Sequence, residues 1–312
     1  MRSNGEGEVG RSQALWNPPP HPGPLRPPGR RGSEAEGALP IGVAEIGFTF
    51  RDGATRLSHL YQREPLRVLF PDPAGGDIPV AVLVTTSGGL VAGDRLSLEL
   101  RADAEAAAHV TASAAEKIYR STGVTTEIVQ TVAVEPGGWL EYLPPETILF
   151  DGARLRREST LSLAPGAGFL GGGILVFGRR ARGEQFTRGF LHEGWQVHRD
   201  KRLIWGDALH LDGNIAAIMA DPACFDCAAA CATLILVPPD SDARRFVDPA
   251  RDVQQQSAAP GLRAGVTVVN GLLVARWLGD PLPLRRAYAD LACHLRAVAM
   301  GLPPRLPRLW HV

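Results

Sequence analysis

Leu98-Glu99-Leu100-Arg101-Ala102-Asp103-Ala104, Val132-Ala133-Val134-Glu135-Pro136-Gly137-Gly138 and Leu161-Ser162-Leu163-Ala164-Pro165-Gly166-Ala167 are three versions of one unit. Each alternates apolar and polar residues, as a strand with one buried face does, and then breaks at a turn-forming residue. Asp103 and Pro136 are 33 residues apart, and Pro136 and Pro165 are 29 apart. A repeat of about 30 residues suits strand–turn–strand layers that stack so that each buries the face its neighbour leaves open. A β-sandwich meander would make similar turns. Outward from these units the pattern stays β: alternation runs through Leu96–Leu100 and Ile128–Val134 and returns at Val266-Thr267-Val268. The expected fold is mainly β, a single domain of stacked strands arranged like a β-helix, with about two α-helices.

The helices are expected at Ala223–Ala232, which is rich in small residues, and at Leu284–Met300. In the second, Ala287, Leu291, Leu295 and Val298 recur at helical spacing, and Pro303-Pro304 follow as a stop. Residues 1–40 hold 8 Pro and 7 Gly without apolar periodicity, the composition of a disordered tail, and residues 41–312 form the β domain. Trp16 is the one large aromatic in that tail.

The chain has 312 residues, enough for a substantial core. Lys and Arg number 33, Asp and Glu 33, and the net charge is +0, so a phosphate-binding stripe is not expected and neither is nucleic acid as a partner. No apolar run is long enough to span a membrane, and no apolar segment of the secretory kind follows the first Arg. Four cysteines are too few for a disulfide scaffold and fit a reducing cytoplasm. Only Lys117 and Lys201 are lysines, which marks Lys117 out.

Three further stretches stand out: Ser87-Gly88-Gly89-Leu90-Val91-Ala92-Gly93-Asp94-Arg95, Ser113-Ala114-Ala115-Glu116-Lys117-Ile118-Tyr119-Arg120, and Tyr142-Leu143-Pro144-Pro145-Glu146-Thr147-Ile148-Leu149-Phe150-Asp151-Gly152-Ala153. They resemble the signature segments of the UreD (UreH) family of urease accessory proteins, and the resemblance extends from about Gly47 to Trp310. Gly88, Gly89, Gly93, Lys117, Tyr119, Arg120 and Gly152 carry it. One departure is Ala92, which stands where the family's second glycine pair begins. The resemblance implies a non-enzymatic urease maturation chaperone with a stacked-strand fold. It would act as a scaffold and conduit that binds UreF, UreG through UreF, and the urease apoprotein subunits. No cofactor would be tightly bound, and a nickel ion would be in transit along an internal, water-filled tunnel. Asp94 and Asp207 fall where the family places carboxylates on that tunnel.

The residues also carry plainer readings. Asp94 can simply bond its own Gly-rich turn. Glu146 and Asp151 flank the apolar Ile148-Leu149-Phe150; a carboxylate there needs a proton, water, which the implied tunnel would supply and so place both residues on the nickel path, or a partner such as Arg154 or Arg156. Carboxylates hold nickel less firmly than thiolates and would let it leave. Cys224, Cys227 and Cys231 would share one face of a helix and are a weak metal candidate beside their reading as small buried hydrophobes. Gly166-Ala167-Gly168-Phe169-Leu170-Gly171 matches a dinucleotide fingerprint, but a β-prone run follows it, so close backbone packing is the expected role. His192 and His198 share a face if their segment is a strand, with Glu193 pointing the other way. No hydrolase elbow or His-Glu-x-x-His helix is present. The alternatives are a metal-dependent enzyme on a β-solenoid using Asp94, Glu146 and Asp207, or a purely structural binding module. The first requires those three carboxylates to converge.

Overall fold

A computed structural model describes residues 41–240 and 242–311. The expected tail over residues 1–40 lies outside the described residues. The chain forms a β-solenoid. Its seven-stranded sheet contains β1 (Ile41–Arg51), β2 (Ala54–Arg63), β5 (Arg95–Ala102), β8 (Thr126–Val134), β11 (Arg154–Leu163), β13 (Phe190–Arg199) and β14 (Arg202–Leu211), in the order β14-β13-β11-β8-β5-β1-β2. The facing sheet contains β3 (Leu66–Leu69), β4 (Val80–Thr85), β6 (Ala107–Ala112), β9 (Trp139–Tyr142), β12 (Gly168–Phe177), β15 (Ala230–Val237), β16 (Arg263–Val269) and β17 (Leu272–Gly279). Its order is β16-β17-β15-β12-β9-β6-β4-β3. Two short strands, β7 (Glu116–Ile118) and β10 (Thr147–Leu149), add a third side, with β10 parallel to both β7 and β12.

The middle strands of both sheets run parallel because each coil repeats the path of the one before. Leu100 pairs with Val132 and Val132 with Leu161; Ala102 pairs with Val134 and Val134 with Leu163. The second and third repeat units therefore stack in the register their sequences suggest. The first is offset by two residues, since Leu100 rather than Leu98 stands beside Val132. Alternation turns Leu96, Leu98, Leu100, Ile128, Val132, Val134, Leu155, Leu161 and Leu163 into one interior core. Antiparallel hairpins end the seven-stranded sheet on both sides, β1 with β2 and β13 with β14.

A second core lies outside the solenoid, against the ten-stranded sheet. There α3 (Pro281–Met300) presents Ala287, Leu291 and Leu295 of the expected stripe together with Leu284, while Val298, expected on the same stripe, is exposed. Pro281 opens this helix, and Gly301 ends it in a left-handed conformation before the prolines are reached. Two further helices are α1 (Ile215–Ala220) and α2 (Val247–Gln256). None of the helices is long and apolar enough to cross a membrane. The helix expected at Ala223–Ala232 does not form. Asp226 and Cys227 take positive φ, and the buried alanines that follow run into β15, where small residues serve a strand covered on both faces. The glycine fingerprint opens β12 rather than a helix. A Cβ at Gly168 would approach Trp139 to 2.6 Å, so close packing accounts for it.

Two anchors fix α3. Arg296 is buried and reaches Asp77 (2.6 Å), Glu141 (3.1 Å) and the Pro303 carbonyl (2.9 Å). His109 and Trp139 supply further hydrogen bonds to Glu141. Trp310 stacks on Tyr288 at 5.8 Å and donates from Nε1 to the Leu143 carbonyl, so the end of the chain docks on its own core.

Candidate functional site

The inward faces of the coils are not wholly apolar. Thr85 Oγ1 donates to Glu116 Oε2 at 2.6 Å, and Glu116 stands beside Thr147 in the β7–β10 ladder. Arg157 donates from Nη1 to Thr147 Oγ1 (2.9 Å) and from Nε to both Glu193 oxygens (2.9 and 2.7 Å). Ser159 donates to Gln130, whose amide donates to the Tyr142 hydroxyl. Thr147, Arg157, Ser159, Gln130 and Glu193 are all buried. These groups follow the stacking direction, from β4 through β7, β10 and β11 to β13. The same alternation that builds the core places them there, because each occupies an inward position of its strand.

The column ends at β14. Glu193, Trp195, Asp207, Leu209 and Cys231 line a cavity of about 50 Å³. Asp207, Leu209 and Cys231 also line a cleft of about 390 Å³. The small cavity is large enough for water between Glu193 and Asp207. Burial raises the carboxyl pKa of Glu193, against the pull of Arg157. Burial likewise raises that of Glu116, against hydrogen bonds from Thr85 and the Lys117 amide.

The four carboxylates singled out in the sequence occupy separate places. Asp94 accepts from the Val91 amide at 2.8 Å and braces its turn. Glu146 points away from the interior, 3.6 Å from Arg285 of α3. Asp151 accepts from Thr187 N (2.9 Å), Thr187 Oγ1 (2.8 Å) and Arg188 N (3.3 Å), with the Arg188 guanidinium at 3.3 Å. Its ionic partners are Arg188 and Arg120, in place of the expected Arg154 or Arg156. Burial works to raise its pKa, and these donors outweigh it, holding the carboxyl below its ordinary value. Asp207 alone adjoins the column, and at the surface it meets Arg276 at 2.7 Å. Asp94, Glu146 and Asp207 do not converge, which removes the geometry an enzyme built on them requires.

Glu116, Arg157 and Glu193 were missed as site residues. Glu116 lies within the quoted Ser113–Arg120 block, and Glu193 has the strand parity read for it, opposite to His192. The missing signal is that their partners come from other coils.

The family-resemblance stretches form one corner of successive coils. Leu90 bridges Ile118 in parallel, and Phe150 N donates to the Ile118 carbonyl. Gly89 has φ 151°, and a Cβ there would approach Tyr119 to 2.6 Å. The Tyr119 hydroxyl donates to the Gly88 carbonyl, and its ring meets Phe150 edge-on at 4.9 Å. Arg120 packs its stem on Gly152 and bonds the Asp151 carbonyl, while Lys117 is exposed. Gly93, at φ 86°, completes the turn that Asp94 braces. These residues hold the corner against which the inward-facing Glu116 and Thr147 are set.

Cys224 and Cys227 are exposed on the turn, and Cys231 sits on β15, where burial pushes its thiol up to about 12. The one-face helix argument for the triad therefore fails. Among the described residues no three His, Cys, Asp or Glu side chains are grouped to hold a metal ion.

Residues 41–311 match the family model described as UreD urease accessory protein. A urease accessory protein UreD of Magnetococcus marinus is 41% identical over 274 residues, 87% of this chain and 94% of the relative. One of Methylobacterium sp. (strain 4-46) is 40% identical over 293 residues, 93% of this chain and 98% of the relative. Another, of Granulibacter bethesdensis, is 40% identical over 244 residues, 78% of this chain and 99% of the relative. With the family model spanning the whole described solenoid and relatives of this similarity matched over nearly their full length, the chain belongs to the UreD urease accessory protein family.

Proposed function

We propose that this protein assists urease maturation in the cytoplasm as a non-catalytic chaperone, and that nickel is cargo passing along its interior. The route runs from Thr85 and Glu116, past Thr147 and the Arg157–Glu193 pair, to Asp207 and the open cleft. The observation that carries this reading is the polar column itself, which places Glu116, Glu193 and Asp207 one after another along the stacking axis. Burying such groups disfavours folding unless each finds a partner, so a solenoid without a use for them gains by replacing them with Leu or Val. Oxygen ligands suit a hard, exchangeable hold on a divalent ion. Arg157 stands in the way of a cation. Its guanidinium must swing from Glu193 for an ion to pass, which makes the pair a gate. UreF, UreG acting through UreF, and the urease apoprotein are the partners, since a conduit works only when both its ends are docked.

Asp207→Asn and Glu116→Gln test this reading. Each removes a charge while keeping shape and hydrogen-bonding capacity. Each variant should assemble with UreF, UreG and apo-urease in pull-downs but deliver less nickel per urease active site. The structural-module reading expects complex yield and nickel content to change together. Asp94→Ala is the contrast: it should lower thermal stability, because it removes the acceptor that braces the turn.

A further inference from the structure

The outer face of the β13–β14 hairpin carries a feature that neither the interior column nor the family corner uses. His192 and His210 are direct cross-strand partners. Their Nδ1 atoms face each other at 3.4 Å, with the rings inclined at 66°. Two imidazole nitrogens, each about 2.0–2.1 Å from a tetrahedral ion, stand about 3.3–3.4 Å apart. That spacing is long for a nitrogen–nitrogen hydrogen bond and right for a bite around a metal.

The rest of the arrangement fits the same chemistry. Glu158 Oε1 lies 3.0 Å from His192 Nε2, the ring nitrogen remote from His210. A carboxylate on that nitrogen fixes the tautomer, leaves Nδ1 with its lone pair outward and raises its basicity, as outer partners of metal-bound histidines do. Gly194 stands directly beside Glu158 in the β11–β13 register. A Cβ there would clash with the Glu158 carboxylate and come within 3.2 Å of His192 Nε2, so glycine at this position gives the carboxylate its path. Phe190 meets the His210 ring edge-on at 5.3 Å and fixes its plane. The His192 side chain is 20% exposed, and His210 is open to solvent, so an ion can arrive and leave. Arg156 shares the Glu158 oxygen at 3.4 Å.

We infer that His192 and His210 form a two-imidazole site for a late divalent transition-metal cation, with Glu158 as the positioning residue and water completing the coordination. The ligand class is nickel, copper or zinc rather than calcium or magnesium, because imidazole prefers the former. The site faces outward, whereas Glu193 beside it faces the interior, so it stands or falls independently of the proposed route. Two protein ligands make a loading or exchange site rather than a permanent centre.

Copper(II) alone is the probe of choice, since it binds such donors most tightly and reports its nitrogen ligands by electron paramagnetic resonance. The full-length chain should be used with Cys224→Ser and Cys227→Ser, which keep exposed thiols out of the reading. The parent should bind one copper with two imidazole nitrogens. His192→Ala and His210→Ala should each lower affinity by at least about tenfold and remove one imidazole from the spectrum. Glu158→Gln should weaken binding about tenfold with both imidazoles retained. Gly194→Ala should act in the same direction by displacing Glu158. Copper affinity and nitrogen count unchanged in both histidine variants would overturn the assignment and leave the pair as a surface hydrogen bond. The same holds if the folded parent shows one imidazole or none.

Discussion

Glu116 shows how an interior carboxylate is tested at the scale of a single residue. Its pKa lies above the ordinary 4.5 because burial disfavours the charge. A carboxyl whose pKa rises on folding weighs against folding when charged, and that cost disappears as pH falls below the unfolded value. Glu116→Gln is therefore expected to raise the melting temperature near neutral pH, with the gain vanishing below about pH 4. Thermal scans across pH check this. Asp151 behaves oppositely. Its carboxyl is held below its ordinary value, so its stabilisation is present above about pH 4 and lost as pH falls through the lowered pKa. Asp151→Ala should cost about 1–3 kcal/mol at neutral pH and less in acid, read by denaturant titration. The sequence pointed to Asp151 through its apolar neighbours but misplaced its partners, because Thr187 and Arg188 lie far along the chain. Glu193 was readable as facing away from His192, but nothing local says that Arg157 waits one coil away.

At the scale of elements, α3 was legible and the Ala223–Ala232 segment was not. Leu284, Ala287, Leu291 and Leu295 repeat at a spacing no strand uses. Ala223–Ala232 has a helix-forming composition, but a turn with positive φ at Asp226 and Cys227 breaks it, and only Ala230–Ala232 join β15, where small side chains fit a strand covered on both faces. Helix α3 packs its apolar stripe into the second core and is anchored by Arg296, whose removal leaves Glu141 buried with its charge uncompensated except by His109. Arg296→Met should cost about 3–5 kcal/mol, measured by chemical denaturation, with helix α3 losing hydrogen-exchange protection first. Truncation after Gly301 removes the Trp310–Tyr288 stack and should also lower the melting temperature. An unchanged melting curve would show that the terminal segment contributes nothing to the fold.

For the whole molecule, the stacked coils were readable because each repeat unit carries its own alternation and turn. The interior column was only partly so: Thr85, Glu116 and Thr147 recur every 31 residues, one per coil, but Arg157, Glu193 and Asp207 do not continue that spacing and meet the others only once the coils are stacked. The column runs from Thr85 to the Arg157–Glu193 pair and ends beside the cleft that Asp207 lines. The central claim is that a divalent ion uses this interior. The Glu116→Gln, Asp207→Asn double variant, purified with UreF, UreG and apo-urease, puts it to the test through nickel per urease active site, normalised to complex recovered in the same sample. The conduit account predicts normal recovery of the complex with nickel loading below that of either single variant. Full nickel loading in the double variant would contradict it.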